Sequence, residues 1–377
     1  MNVEIAASIE AFGRDEWNAL FPGELEDWSY YHAVERAGLA DFSWLYFGVR
    51  VDGALCAAVP AFLIDYRLDT TLTGPLRRVT DALTRVFPRL LCQRMLSLGS
   101  PVAEICHLGF APQSDAVQQR AWLGAILEKV EEYTKQHRVR MIAVKDAAAN
   151  QDALWAAALR GHRLRRQPGL PTAFLDIRFA GIDAYLDSLG AGTRKDMRRK
   201  LKAAARLRVE WRGDIEGIEA DVMRLYEATY ERAVLDFEKL TPDYFRGVLR
   251  ELGARASCVT YWLDARMVAF NLVLHDGQRL LDKFLGMDYA LARDYNLYFV
   301  SWFENVRYCI AQGVPLYQSG QGLHREKLRL GSRLSANWLW YRHRNRVLDA
   351  IFAAVEKLAR LDRHDPELAA LVDRHER

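Results

Sequence analysis

Apolar and polar positions along the chain follow two periods, alternation by two and recurrence every three or four residues, and the same succession of the two appears twice. In the first half the pattern predicts a strand over Val3 to Ala7, helices over Arg14 to Phe21 and Tyr30 to Gly38, and paired strands from Trp44 to Ile64. The pair turns at Val51-Asp52-Gly53, and Asp-Gly between apolar runs is a hairpin signal. A strand near Ile105 to Phe110, a long helix Asp115 to His137, a strand Val139 to Val144 and a helix Asp152 to Leu159 follow.

The second half opens with a strand at Thr172 to Phe179. Helices are predicted at Ile182 to Leu189, Thr193 to Leu207, Ile218 to Val234 and Tyr244 to Leu252, then strands at Ala256 to Leu263, Met267 to His275 and Arg279 to Met287. A helix Leu297 to Gln312, a strand Val314 to Ser319, a strand Asn337 to His343 and a helix Leu348 to Leu358 complete it. Both hairpins place an Asp, Asp52 or Asp264, between apolar strands with an Ala close behind. Similar order and similar hairpins favour duplication of one α/β unit. The expected division is residues 1–166 and 167–377, the second ending in a charged tail, with the boundary near Gln167 to Pro171.

A chain of 377 residues, half of them hydrophobic, has room for two cores. It carries 52 basic and 49 acidic residues, a net charge of +3, which argues against a dedicated nucleic-acid binder. Five scattered cysteines with no C-x-x-C pair exclude a disulfide framework or a structural zinc site of that type. No run approaches the roughly 18 apolar residues of a membrane span, and a cytoplasmic protein is expected. An amphipathic insert near 74–96 alternates Leu76, Val79, Leu83, Phe87, Leu90 and Leu91 with five arginines. It reads either as a surface helix packed on its own domain or as a peripheral contact with the inner membrane face.

Charge is concentrated between Arg194 and Arg208, with eight Lys or Arg against one acid, Asp196. On a helix, Met197, Leu201 and Ala204 form a narrow apolar stripe, while Arg194, Lys195, Arg198, Arg199, Lys202 and Arg206 share an arc of roughly 140°. A solvated face, a nucleic-acid groove and a site for a phosphate-bearing ligand all fit this pattern.

Three stretches carry a family resemblance. IDAYLDSLGAGTRKDMRRKLKAA, NLYFVSWFENVRYCIAQGVPLYQSGQG and SGQGLHREKLRLGSRLSANW are similar to the Arg-rich helix, the late helix with its core strand, and the Gly-rich turn with following Lys of the FemAB-like acyltransferases, tandem members of the GNAT superfamily. The resemblance implies an α/β (α+β) fold of two tandem GNAT-like units, each a mixed central sheet flanked by helices, with the C-terminal unit catalytic. It also implies an N-acyltransferase, moving an acyl or aminoacyl group from acyl-CoA or aminoacyl-tRNA to a small-molecule or glycopeptide amine. Where simple acetyltransferases have a Gly-rich pyrophosphate loop, this chain reads LARDYNLY, leaving a helix N-terminus around Asn296 and Tyr298 to bind phosphate. Some relatives have a Glu where Leu323 stands.

Acyl transfer needs a neutral nucleophile, a polarised carbonyl and a stabilised leaving group. Alternation on LLDKFLGMD places Asp282, Phe284, Gly286 and Asp288 on one strand face. Asp282 is the candidate for amine recognition or a water-relayed base, against a structural salt bridge. His324 and Lys327 are the other catalytic candidates, Lys327 as a phosphate or carboxylate contact, and Gln318, Gly320, Gln321 and Gly322 would shape the loop before them. Arg194, Arg198, Arg199 and Lys202 are the candidate donor-binding residues. His107, His137, His162 and His275 are isolated in sequence, so no metal is expected. Two alternatives use the same cationic helix: a non-catalytic module for an anionic glycan, lipid or nucleic acid, and a membrane-surface acyltransferase of cell-envelope or exopolysaccharide biosynthesis.

Overall fold

The computed structural model describes residues 1–67, 92–232, 238–359 and 366–376. Most of the amphipathic insert near 74–96 lies outside the described residues; its last part, 92–96, belongs to a strand rather than a helix. No helix among the described residues is long and apolar enough to cross a membrane.

In chain order the first half contains β1 (Asn2–Ala6), α1 (Arg14–Asn18), α2 (Trp28–Glu35), β2 (Phe42–Val51), β3 (Ala54–Arg67), β4 (Cys92–Leu98) and β5 (Gly109–Phe110). It continues with α3 (Ala116–Gln136), β6 (Met141–Ala148), α4 (Asp152–Ala158) and β7 (Arg165–Pro168). The second half begins with β8 (Thr172–Asp176), α5 (Ile182–Ser188), α6 (Ala191–Ala203), β9 (Arg208–Arg212), α7 (Glu219–Tyr230), α8 (Pro242–Leu252), β10 (Ala256–Leu263), β11 (Arg266–His275) and β12 (Arg279–Met287). It ends with α9 (Leu297–Gln312), β13 (Leu316–Gln318), α10 (His324–Arg329), β14 (Arg333–Ser335), β15 (Asn337–His343), α11 (Arg346–Ala359) and α12 (Pro366–Glu376).

Two mixed sheets result. One runs β1-β2-β3-β4-β6-β15-β7, with β5 on β3, and the other β14-β8-β13-β12-β11-β10-β9. Each contains a two-residue hairpin whose Asp takes a left-handed conformation, Asp52 at φ 51° and Asp264 at φ 53°. Each also contains a parallel pair, β4 with β6 and β12 with β13. A parallel pair requires a crossover, which α3 and α9 supply. The duplication expected from the pattern is thus present in the topology.

The compact units do not follow a linear division at 166/167. Residues 29–39 group with 171–335, and residues 336–377 group with 1–28 and 40–170. The reason is burial. In α2, Tyr30 is buried and its hydroxyl lies 2.9 Å from that of Tyr244 on α8. β15, read from sequence as the end of the second half, pairs with β6 and β7 instead, from Asn337↔Ala148 to His343↔Met141. Asn337 holds the crossover by donating from Nδ2 to the carbonyls of Leu170 at 3.0 Å and Glu104 at 3.3 Å.

The core of the second unit gathers Leu175, Tyr185, Val259, Val268, Val273 and Leu280 under the buried face of α9, from Leu297 through Trp302 and Phe303 to Cys309. α9 stops where Gly313 adopts φ 69°, a left-handed cap that glycine tolerates. Tyr185 ties three elements together: its hydroxyl donates to the Leu330 carbonyl at 2.7 Å and accepts from Trp302 Nε1 at 2.9 Å.

Candidate functional site

The parallel pair of the second unit is short. β12 meets β13 only at Arg279↔Leu316, Leu280↔Tyr317 and Leu281↔Gln318. Beyond Gln318 the chain turns to β8, where Ser319 N–H donates to Ala173 O and Ala173 N–H to Gly320 O, and Gly320 supplies the φ of 83° for that turn. β12 itself continues to Met287, so the two strands part with Asp282 as the first residue past the pairing. In the first unit the β4–β6 pairing ends at Leu98↔Val144, where β4 stops and β6 runs on to Ala148.

A bulge decides which way Asp282 points. Val273 faces Asp282 and Leu272 faces Phe284, leaving Lys283 as an extra residue. The common face expected for Asp282, Phe284 and Gly286 is therefore not formed: Phe284 packs on Tyr226, Tyr244 and Phe245, whereas the Asp282 carboxylate turns to α9 and β13. An added residue shifts the alternation by one, as bulges beside active sites do.

The carboxylate is held from three sides. Asn271 Nδ2 donates to Oδ1 at 2.9 Å, and Asn305 Nδ2 and the Tyr317 hydroxyl donate to Oδ2 at 3.0 and 3.1 Å. Burial pushes its pKa above the ordinary carboxylate value, outweighing the Asn271 bond, the Lys327 charge and the Tyr317 and Asn305 bonds that pull it down. Among the described residues no cation bonds it directly, so a simple salt bridge does not describe it. Asn271 and Asn305 are fully buried, but Asp282 keeps part of its surface exposed. The arrangement is a carboxylate with enhanced basicity, fixed in orientation by three donors.

Lys327 is buried rather than solvent-facing, at 4% exposure, and its Nζ donates to the Ser319 carbonyl at the strand end. Through that bond the ammonium engages the loop after β13, and it places positive charge near Asp282. Gln318 is buried and accepts from Arg279 Nη1 at 3.2 Å, while Gln321 is half-buried and Gly322 exposed. His324 opens α10, half-buried, after Leu323, which is 58% exposed and left-handed at φ 53°. Asn296 precedes α9 in a left-handed conformation, at φ 52°, and makes no side-chain cap. The Tyr298 hydroxyl is buried without a hydrogen-bond partner among the described residues, and burial followed by the Asp282 charge raises its pKa.

α6 forms as the pattern predicts, with Met197 fully buried. Arg194, Lys195, Arg198, Arg199 and Lys202 line an open groove of about 480 Å³ with Ala191. Asp187 from α5 adds a counter-charge not anticipated from the helix itself, at 2.9 Å from Arg198 and 3.6 Å from Arg194. Arg199 pairs with Asp196 at 2.7 Å yet is 77% exposed, and exposed pairs of this kind exchange readily for a ligand. Lys200 Nζ lies 3.4 Å from the centroid of the Phe299 ring, which seats α6 against the first turn of α9, beside Tyr298.

Three partners of Asp282 escaped sequence reading. Asn271 and Asn305 interrupt apolar runs, MVAFNLVLH and FVSWFENVRYC, and a polar side chain at a pattern-buried position is the signal that could have found them. Tyr317 carries no such mark.

The chain thus repeats a mixed α/β unit in tandem, and one copy carries an oriented carboxylate and a cationic helix. Residues 191–328 match the family model described as an acetyltransferase (GNAT) domain. FemX is structurally similar, with TM-score 0.59 at 14% identity over 93% of this chain and 99% of that one. So is a tandem GNAT protein from the clavulanic acid biosynthesis pathway, with TM-score 0.52, 14% identity, and 91% and 98% coverage. The C-terminal domain of a putative lysylphosphatidylglycerol synthetase from Agrobacterium fabrum gives TM-score 0.52 at 13% identity, covering 91% and 95%. A search of curated proteins by sequence gives no match. The chain has a FemAB-like tandem GNAT fold, and residues 191–328 of its second unit match the acetyltransferase (GNAT) domain model.

Proposed function

We propose that the second unit transfers an acyl or aminoacyl group from a phosphate-bearing donor to an amine, with Asp282 receiving the amine's proton. The observation that carries this reading is the placement of Asp282: first past the β12–β13 pairing, raised in basicity, and oriented by Asn271, Asn305 and Tyr317. A neutral amine entering the splay attacks the acyl carbonyl; the new C–N bond forms as the bond to the leaving group breaks. The amine's surplus proton passes to Asp282, directly or through one water; the leaving thiolate or alkoxide takes a proton from water, and Asp282 returns its own to solvent before the next turnover. Lys327 holds the Ser319 carbonyl and the loop edge in place.

The donor's phosphates would lie along the outer face of α6, on Arg194, Arg198, Arg199 and Lys202, while Lys200 on the opposite face packs on Phe299 of α9. Two donor classes fit. The GNAT domain model supports acyl-CoA, and FemX-like architecture together with the glycine-free LARDYNLY turn supports aminoacyl-tRNA. The acceptor is an amine of a small molecule, glycopeptide or lipid headgroup.

The test is incubation of the full chain with labelled acyl-CoAs or charged tRNAs and amine acceptors, scoring product and thermal protection together. Turnover abolished in Asp282→Asn supports the reading. Protection by a donor with no transfer to any amine would instead indicate a binding module.

A further inference from the structure

The structure assigns a divalent-metal site to the first unit, at Glu24, Glu26 and His107, independent of the transfer reaction. The chain reads His107 as isolated, but folding sets its Nε2 3.5 Å from Glu24 Oε2 and 3.5 Å from Glu26 Oε2. All three ligand atoms lie within 4.8 Å of one another. Glu26 is 3% exposed and His107 7%, so this is not a solvated acidic cluster.

Two physical accounts of the trio differ in the distances they require. If a protonated imidazole held the carboxylates, its single Nε2–H would draw one of them to about 2.7–2.9 Å, as charge-assisted bonds do. Both stand farther off, at equal range. If a cation sat among them, metal–ligand bonds of about 2.0–2.2 Å in a tetrahedron would separate neighbouring ligand atoms by about 3.3–3.6 Å. The two distances from His107 Nε2, 3.5 Å each, equal that edge, and the two carboxylate oxygens lie within 4.8 Å of one another. Glu24 is also aimed: its other oxygen, Oε1, accepts from the Leu25 N–H at 2.9 Å, which turns Oε2 toward His107. On the far side, the Phe21 ring stands edge-on to the imidazole with centroids 6.5 Å apart.

One imidazole with two carboxylates suits a first-row divalent cation such as Zn²⁺ or Mn²⁺; Mg²⁺ and Ca²⁺ prefer all-oxygen sites. Three protein ligands leave room for a water. The ion would tie the segment before α2 to the loop between β4 and β5 within the first unit, a cross-link between stretches distant in sequence.

The experiment uses the full chain, stripped with a chelator and dialysed, titrated calorimetrically with ZnCl₂, MnCl₂ and MgCl₂ while Tm is followed. The expected result is one Zn²⁺ per chain, a rise in Tm on binding, no response to Mg²⁺, and at least a tenfold loss of Zn²⁺ affinity in Glu24→Gln and in His107→Asn. Glu24 is the least buried of the three, so Glu24→Gln reports on the site even where His107→Asn fails to fold. Absence of Zn²⁺ binding in the wild type, or undiminished affinity in Glu24→Gln, overturns the assignment.

Discussion

Replacing Asp282 by Asn removes a charge while keeping nearly the same shape, and its consequences separate two roles of the residue. In the wild type the carboxylate accepts three hydrogen bonds, at 2.9, 3.0 and 3.1 Å. An Asn amide presents NH₂ to one side of that cage, where it faces another donor, and one mispaired buried donor costs about 1–3 kcal/mol. Against this, burial opposes ionisation of Asp282 strongly enough to raise its pKa, and the variant is spared that opposition. The sign follows from proton linkage. Because the folded state holds the proton more tightly than the unfolded one, wild-type stability from this group is full below the ordinary pKa of 3.8 and declines as pH rises through the raised folded value. Asn does not titrate there, so the Tm difference between variant and wild type should move in the variant's favour as pH rises across that window. Activity should move the other way: kcat/KM should fall tenfold or more, about 1.4 kcal/mol in the barrier. The wild-type acid limb, set by a carboxylate pKa above 3.8, should vanish. Calorimetric Tm against pH, paired with kcat/KM against pH using the donor identified by labelling, measures both. A variant retaining full activity, or retaining the same acid limb, would refute a proton-accepting role for Asp282.

The other expectations are more local. Lys327→Met keeps much of the buried stem but releases the Ser319 carbonyl, and should lower kcat about tenfold or more with a measurable drop in Tm, since a buried partner is lost; unchanged turnover would make the lysine purely structural. Arg198→Glu with Arg199→Glu should raise KM for the phosphate-bearing donor far more than it lowers kcat, and a salt titration should show a steep slope for tRNA and a shallow one for CoA; an unaltered KM for every donor tried returns α6 to a solvated face. Leu323→Gly should stabilise the fold by up to about 1 kcal/mol in chemical denaturation, because the left-handed φ of 53° strains a leucine and its side chain is mostly exposed; a loss of stability would show that the side chain makes contacts that outweigh the strain.

Periodicity by itself determined the longer elements and their order, because each amphipathic strand or helix writes its buried face into the sequence, but it missed β4, read as the end of a helical insert, and the short β7, β9, β14 and α10. It therefore specified both hairpins, the late helix ending at Gly313 and the cationic α6 with Met197 inward. Asp282 stood out for the same reason, as an acid within an apolar strand, and Lys327 through its place after a Gly-rich turn. What the pattern could not carry is which strands pair, since an apolar face matches any other apolar face. β15 joins the first sheet and α2 the second unit, and only long-range contacts such as Asn337 with Leu170 and Tyr30 with Tyr244 decide that. The bulge at Lys283 lies beyond sequence as well: it depends on the register with β11, and it turns Asp282 away from Phe284 toward Asn305 and Tyr317. The trio of Glu24, Glu26 and His107 is likewise a product of tertiary structure, because chelation needs convergence in space and no local spacing encodes it.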